Sequence, residues 1–187
     1  MLKDDPELYV RRSVANNLND IGKDHPSLLV EISQQWLVNA TDERRWLIRH
    51  ALRSAVKRAD PGAIAALGFS DGATASIGKV SITPNPVVIG NSISIAFDLI
   101  NTGSQPQKLL VDLRIHFVKA NRKTSSKVFK LKTVELAPRE TIQLGKAISL
   151  ADMTTRKHYP GSHLIEILLN GQTFPLGSFE LMRTLDR

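Results

Sequence analysis

Two segments of the sequence repeat each other, and this repeat restricts the possible folds more than any other feature. Residues 9–18 read YVRRSVANNL and residues 46–55 read WLIRHALRSA. In this alignment an aromatic residue matches an aromatic one, and Arg12 matches Arg49. The second copy begins 37 residues after the first, an offset typical of a two-helix unit of an α-solenoid. The first part of the chain is therefore predicted to be a fragment of a helical solenoid.

Apolar residues within residues 9–21 recur at helical spacing and predict an amphipathic inner helix, followed by an outer helix over about residues 27–38. The apolar stripe of the inner helix consists of Val10, Val14, Leu18 and Ile21. Three prolines that follow polar residues predict helix starts, because the missing proline N–H has no helical partner there. These prolines are Pro6, Pro26 and Pro61. Gly22 and Gly68 are the predicted helix terminators.

The second part of the sequence shows β-type patterns. Seven runs are separated by turn signals: 76–83, 87–99, 108–119, 127–135, 141–150, 163–170 and 172–181. Asn170-Gly171 between the last two runs is a strong hairpin signal, because both residues tolerate positive φ. Seven short strands predict an antiparallel β-sandwich of immunoglobulin or fibronectin-III type. The predicted domains are a HEAT-like α-solenoid fragment at 1–69, a linker at 70–76 and an immunoglobulin-like β-sandwich at 77–187.

The positive charge is concentrated in the second part of the sequence. The chain carries a formal net charge of +7. Residues 1–72 contain ten basic and ten acidic residues, so the whole excess falls in residues 73–187. A basic domain of this kind suits an anionic partner such as nucleic acid, although many basic domains bind none.

Several classes of protein have no support in the sequence. There is no cysteine, so a disulfide, a thiolate nucleophile and a Cys-based zinc site are excluded. The five histidines show no metal-ligand spacing and no glycine-rich phosphate loop appears, so we expect no metal, no nucleotide and no other cofactor. No apolar run reaches the roughly 20 residues of a membrane helix, and no secretory signal pattern is present. We therefore expect a cytoplasmic protein without a membrane partner.

A polar face accompanies the apolar stripe of the first inner helix. Spacings of three and four residues group Arg12, Asn16, Asn19 and Asp20 on it. One carboxylate among amides and an arginine is unusual for a solvated face, which usually alternates Lys with Glu. The asparagines are candidates to hold the DNA backbone or a water molecule. The alternative to a ligand-binding role for this face is purely structural. In that case Asp20 caps a turn or pairs with an arginine of the next unit, and the asparagines form hydrogen bonds between units.

The second inner helix carries a basic stripe. Residues 44–58 contain six basic residues and no acidic one. Four of them recur at every fourth position: Arg45, Arg49, Arg53 and Lys57. Like charges at this spacing cost some helix stability, so an anion opposite them is a reasonable explanation, and their rise suits a phosphate backbone. The alternative is a solvated basic face, or arginines that pair with Asp20.

A second basic cluster lies between Asp112 and Glu135, where no acidic residue occurs. It contains Lys119, Arg122, Lys123, Lys127, Lys130 and Lys132. We expect Arg122, Lys123 and Lys127, in and beside a polar loop, to reach a DNA duplex. The alternative is that the lysines protect an edge strand from pairing with another chain. The segment 155–159, TRKHY, is a further candidate for DNA contact.

The particular residues of the repeat resemble a known family. The strings YVRRSVANNLNDIGKDHP and RRWLIRHALRSAVKRADPGA are similar to the HEAT-like repeats of bacterial DNA alkylation-repair glycosylases, above all to the AlkC-like branch. This resemblance covers about residues 5–69, and some members of that branch carry an immunoglobulin-like domain after the repeats. The resemblance implies that the partner is double-stranded DNA containing alkylated bases. We expect the protein to be a monomer.

The resemblance also implies that Asp20 is catalytic. In this family an aspartate on an inner helix faces a cationic, N3-alkylated base, whose glycosidic bond is already weakened. A carboxylate in that place stabilises the oxocarbenium-like sugar and orients a water molecule for attack. The arginines, lysines and asparagines of the polar and basic faces are then the expected DNA contacts.

Two functions of different class follow from these observations. The first is the C-terminal portion of a DNA glycosylase that excises N3-alkylated bases. Only about one and a half repeats are present, whereas a solenoid needs about three, so we expect a part of a longer protein that is inactive alone. The second is a non-enzymatic interaction module, in which helical repeats and an immunoglobulin-like domain bind protein or DNA.

Overall fold

The first part of the chain is helical and the second part consists of strands, which confirms the predicted fold class of a helical part followed by a β-sandwich. The computed structural model describes residues 2–154 and 157–183. The chain divides into two units, Met1–Asp71 and Gly72–Arg187. Within the described residues, no helix combines the length and the apolar character needed to cross a membrane.

The described part of the first unit consists of a 3-10 turn and five helices. They are the turn Leu2–Asp4, α1 (Leu8–Asp24), α2 (Pro26–Leu37), α3 (Asp42–Ala51), α4 (Arg53–Lys57) and α5 (Pro61–Ala66). The helices share one apolar core, to which α1 contributes Ala15 and Leu18, α2 contributes Leu29 and α3 contributes Leu47. The predicted inner and outer helices therefore correspond to α1 and α2.

The predicted end of the first helix at Gly22 is wrong. Helix α1 continues to Asp24, and Gly22 is buried against α2. A Cβ atom at this position would lie 3.0 Å from Leu29 Cβ and 3.1 Å from Leu29 Cγ. The absence of a side chain lets Leu29 approach the α1 backbone, so the role of Gly22 is packing and not termination. Gly68, by contrast, has a φ of +80° just after α5, which confirms its prediction.

Two of the three proline signals mark a helix start. Helices α2 and α5 begin at Pro26 and Pro61. Asp60 caps α5, since its side chain accepts a hydrogen bond from Ala63 N at 2.8 Å. Helix α1 begins two residues after Pro6, because a turn precedes it in which Asp5 Oδ1 accepts a hydrogen bond from Glu7 N at 2.9 Å.

The second inner helix, predicted as one continuous element, is two helices. Helix α3 ends at Ala51 and α4 begins at Arg53, and Leu52 between them has a φ of −75° and a ψ of −6°. Neither glycine nor proline stands at the break, so local sequence preference does not explain it. Leu52 is fully buried, so the break lies within the apolar core of the first unit.

The described part of the second unit contains eight strands in two sheets. They are β1 (Ala75–Thr83), β2 (Val87–Val88), β3 (Ser92–Asn101), β4 (Gln107–Val118), β5 (Thr124–Leu136), β6 (Thr141–Ser149), β7 (Gly161–Leu169) and β8 (Gln172–Met182). One sheet has the order β1-β3-β6 and the other the order β2-β8-β7-β4-β5, and among the strands of residues 75–154 and 157–183 only the β2–β8 pair is parallel. The predicted run 87–99 is divided into two strands, because the chain turns at Gly90, whose φ is +99°.

The two sheets share one core, and turn chemistry fixes their hairpins. Strand β3 alternates buried with less buried residues, which directs Ile95, Phe97 and Leu99 inward. The hairpin predicted at Asn170-Gly171 is confirmed: both residues have positive φ, +47° and +83°, and they join β7 to β8.

A buried asparagine joins the ends of two sheets. Asn101, the last residue of β3, is fully buried. Its Nδ2 donates hydrogen bonds to the carbonyl oxygens of Gln105 (2.9 Å), Leu136 (3.0 Å) and Ala137 (3.0 Å). Its Oδ1 accepts a hydrogen bond from Gly103 N at 2.9 Å. One side chain thus connects the β3–β4 turn to the end of β5.

Candidate nucleic-acid interface

Three of the predicted residues lie in line on the exposed face of α1. Arg12, Asn16 and Asp20 follow one another at intervals of about one turn, and all three are exposed. The Asp20 side chain is 64% exposed, and its Oδ1 lies 2.7 Å from Lys23 Nζ on the same helix. The hydrogen bond and the charge of Lys23 lower the pKa of Asp20, with a smaller contribution from Arg53. Asp20 is therefore an accessible, ionised carboxylate at neutral pH.

Asn16 connects α1 to the second copy of the repeat. Its Oδ1 accepts a hydrogen bond from Arg53 Nη2 at 3.0 Å and lies 3.2 Å from His50 Nε2. Arg53 Nη1 also donates a hydrogen bond to the carbonyl oxygen of His50, at 2.6 Å. The structure thus brings together two predicted residues, Asn16 and Arg53, that are far apart in the sequence.

His50 belongs to this cluster, although the sequence reasoning missed it. Its imidazole stacks on the Trp46 indole, with ring centroids 5.2 Å apart and an angle of 7° between the planes. Partial burial lowers the pKa of His50, and the positive charges of Arg53 and Arg12 lower it further, so the imidazole is neutral at neutral pH. The spacing of four residues between Trp46 and His50 was a usable signal, since it places both rings on one helix face.

Asn19 does not belong to the exposed face. It is only 4% exposed, so it does not present its side chain to an external ligand. The reason is angular: each helical residue turns by about 100°, so Asn19 lies about 60° from Asn16, on the side of Ala15 and Leu18. Those two residues face the core, and Asn19 follows them inward.

The break at Leu52 divides the predicted basic stripe between two helices. Arg45 and Arg49 lie on α3, whereas Arg53 and Lys57 lie on α4. Arg45 Nε donates to the carbonyl oxygen of Ala40 at 3.2 Å, which restrains this side chain close to the start of α3. Arg49 and Lys57 are exposed, and Arg53 is half-buried against Asn16.

The second basic cluster lies on the hairpin between β4 and β5. Arg122 and Lys123 are exposed in its turn, which is closed by a hydrogen bond from Lys119 N to the carbonyl oxygen of Lys123 at 2.8 Å. Arg122 has a φ of +60°. Lys127 is exposed on β5, with its Nζ 5.1 Å from the centre of the Phe129 ring. Of the further candidate segment 155–159, Thr155 and Arg156 lie outside the described residues.

The charges of the chain follow the division into units. The first unit, up to Asp71, contains ten basic and ten acidic residues, so the excess of +7 belongs to the second unit. Within the first unit the charges are also segregated, because residues 44–58 on α3, α4 and the turn after α4 are basic without interruption by an acid. Each unit therefore carries a basic surface of its own.

Comparison with known proteins finds relatives for nearly the whole chain. The uncharacterized protein YhaZ of Bacillus subtilis (strain 168) is 37% identical over 171 residues, which are 91% of this chain and 47% of that protein. Among solved structures, a match is found with the Pseudomonas fluorescens alkylpurine DNA glycosylase AlkC, bound to DNA containing an abasic site analog. The TM-score is 0.91 and the sequence identity is 41%, and the match covers 97% of this chain and 50% of that chain. The chain therefore spans about half the length of these relatives.

These matches confirm the resemblance of the chain to AlkC-like proteins, and they extend it from the repeat to the second unit. Residues 76–183 match the family described as "Uncharacterised protein YhaZ, C-terminal Ig-like domain". That range contains almost all of the described strands, so the β-sandwich is the immunoglobulin-like domain of this family. The chain belongs to the YhaZ C-terminal Ig-like domain family.

Proposed function

We propose that the chain is the C-terminal portion of a DNA glycosylase that excises N3-alkylated, cationic bases from duplex DNA. The observation that carries this proposal is the likeness to an alkylpurine DNA glycosylase over 97% of the chain at 41% identity. In this proposal the helices at 1–69 are the last HEAT-like repeats, 70–76 is a linker, and 77–187 is the immunoglobulin-like domain. The protein is a cytoplasmic monomer that contributes duplex binding and part of the catalytic face.

Asp20 is the proposed catalytic residue. Its carboxylate is exposed and ionised at neutral pH, which are the two properties that an electrostatic stabiliser of a cationic sugar needs. An N3-alkylated base carries a positive charge and leaves readily, so little acid catalysis is required. The carboxylate stabilises the oxocarbenium-like transition state and orients the attacking water.

The exposed cations are the proposed DNA contacts. On the helices the proposed contacts include the exposed residues Arg12, Arg49 and Lys57. They also include Arg45 and Arg53, whose side chains are already restrained by hydrogen bonds within the protein. On the β4–β5 hairpin they are Arg122, Lys123 and Lys127. Contacts of this kind neutralise phosphates, so the proposed binding weakens steeply as the salt concentration rises.

The test of binding uses this chain and an undamaged duplex. We expect weak binding whose logarithm falls linearly with the logarithm of the salt concentration, measured by fluorescence anisotropy. Absence of binding at low salt, or binding without a salt slope, would reject the DNA interface. Because the chain spans half of its relatives, we expect it alone to release little or no alkylated base.

The test of catalysis is Asp20→Asn, in a protein extended to the full length of its relatives. Asparagine keeps the shape and removes the charge, so excision of an N3-alkylated base should fall about 100-fold or more, while duplex binding stays level or tightens slightly. Asp24→Asn is the matched control, since it makes the same change at an exposed position on the same helix. Equal excision rates for Asp20→Asn and the control would remove Asp20 from the mechanism. DNA binding without excision by the extended wild-type protein would favour the non-enzymatic interaction module.

A further inference from the structure

The geometry points to Asn16 and His50 as positioning residues that hold the Arg53 guanidinium ready to bind a phosphodiester group of the DNA strand. This inference rests on the proposed function, because its ligand is the DNA backbone. Asn16 and His50 do not touch the reacting atoms in this arrangement. They act through Arg53, whose charge also acts on the Asp20 carboxylate.

The orientation of the Asn16 amide follows from its partner. A guanidinium has only hydrogen-bond donors, so the atom of Asn16 that lies 3.0 Å from Arg53 Nη2 is the oxygen. The amide nitrogen therefore points away from Arg53, and among the described residues it has no hydrogen-bond acceptor. Its N–H groups remain able to donate to an external anion.

His50 fixes the same oxygen atom from a second direction. A neutral imidazole has a single N–H, and since Asn16 Oδ1 accepts, that hydrogen lies on Nε2, 3.2 Å away. The stack on Trp46 restrains the plane of the imidazole ring. With two donors on one oxygen, the Asn16 side chain is held in a single orientation.

Arg53 is restrained before any ligand binds. One terminal nitrogen donates to the His50 carbonyl oxygen at 2.6 Å and the other to Asn16 Oδ1 at 3.0 Å. The break between α3 and α4 supplies the first of these acceptors, because carbonyl groups at the end of a helix lack helical partners. A restrained side chain loses less conformational entropy on binding. The guanidinium still has further N–H donors for phosphate oxygens.

Arg12 adds a second cation to the same surface. It lies one turn before Asn16 on the exposed face of α1, and its charge acts on His50. The surface thus combines two guanidinium groups with an outward amide, a set of donors suited to the oxygens of one phosphodiester. Asp20 lies one turn after Asn16, at the end of this line of donors.

A double-mutant cycle on DNA affinity separates positioning from direct contact. The variants are Asn16→Leu, Arg53→Gln and the two combined, titrated with a fluorescein-labelled undamaged duplex at several salt concentrations. We expect each single substitution to weaken binding about three- to tenfold and to reduce the salt slope by up to about one. In the Arg53→Gln background, Asn16→Leu should weaken binding much less than it does in the wild type, because only the direct contact of the Asn16 amide is then left to lose. Asn17→Leu, the same change at the adjacent exposed position, should leave affinity unchanged.

Two substitutions of His50 test its hydrogen bond separately from its stack. His50→Phe keeps the aromatic contact with Trp46 and removes the N–H donor, so affinity should fall about two- to threefold through a less restrained Arg53. His50→Gln restores a side-chain N–H donor and should return the affinity to near the wild-type value. Wild-type affinity in His50→Phe together with a loss in His50→Gln would show that His50 acts only by packing on Trp46.

The remaining outcomes distinguish the inference from the proposed function. If Asn16→Leu weakens binding equally with and without Arg53, or not at all, the positioning role is overturned while DNA binding stands. If the wild-type chain shows no salt-dependent binding, the proposed function fails and this inference fails with it. Thermal unfolding followed by tryptophan fluorescence checks each variant, since Trp36 and Trp46 both lie in the first unit. Should Asn16→Leu not fold, Asn16→Ala removes the same oxygen and enters the same cycle.

Discussion

Replacing Asn101 by aspartate tests how the sandwich is held together, because the change exchanges one donor group for an acceptor. Asn101 Nδ2 donates to three carbonyl oxygens at 2.9, 3.0 and 3.0 Å. In Asn101→Asp these bonds are lost, and a carboxylate oxygen faces the three carbonyl oxygens in a fully buried place. Of the three bonds, the one to Leu136 is buried and the other two are partly buried. A buried acceptor that loses its donor costs about 1 kcal/mol or more, and the carboxylate itself would be buried without a donor in place of the amide NH2. We therefore expect the free energy of unfolding of the second unit to fall by about 3 to 5 kcal/mol.

Asn121→Asp is the matched control for this substitution. Asn121 is exposed in the β4–β5 turn and uses its oxygen, which accepts a hydrogen bond from Lys123 N at 3.1 Å. Aspartate keeps that acceptor, so stability should change by less than about 0.5 kcal/mol. Urea unfolding followed by far-UV circular dichroism measures both variants, because the tryptophans report only on the first unit. A loss in Asn101→Asp no larger than in the control would refute the role given to the three donated bonds.

Two further predictions concern packing and pH. Gly22→Ala should lower the free energy of unfolding of the first unit by about 1 to 2 kcal/mol, measured by urea unfolding followed by tryptophan fluorescence. The clash of the new Cβ with Leu29 costs more than the better helix propensity of alanine contributes. A more stable variant would show that Leu29 moves aside freely. Burial lowers the pKa of His163 in the folded state, so the unfolded chain binds a proton at a higher pH than the folded one. The sandwich should therefore have its full free energy of unfolding above about pH 6.5, and this free energy should decrease as the pH falls further. Urea midpoints between pH 8 and 5 test this, and an NMR titration of His163 at or above pH 6.5 in the folded protein would contradict it.

Features that depend on local chemistry could be predicted from the sequence. Asn170-Gly171 makes its hairpin because two adjacent residues that tolerate positive φ favour one kind of turn wherever they stand between strands. Pro26 and Pro61 start helices because their ring fixes φ and needs no partner for an N–H group. The exposed positions of Arg12, Asn16 and Asp20 follow from helical spacing alone.

Features that depend on packing between distant residues could not be predicted in this way. Gly22 has the spacing of a helix terminator but serves the contact with Leu29, a residue of the next helix. The break falls at the fully buried Leu52, where neither glycine nor proline marks it in the sequence. Asn19 has the spacing of the polar face and is nevertheless buried. The cluster of Asn16, His50 and Arg53 forms only when the two copies of the repeat pack together.

The separation of charge between the two units gives dissolved salt two opposite effects on this chain. The first unit is neutral overall, whereas the second carries the whole excess of +7. Added salt screens the mutual repulsion of these positive charges, which favours the folded state of the second unit and leaves the first almost unaffected. The same ions compete with phosphate groups for those side chains. The salt concentrations at which the sandwich is most stable against unfolding are therefore those at which its proposed binding to DNA is weakest.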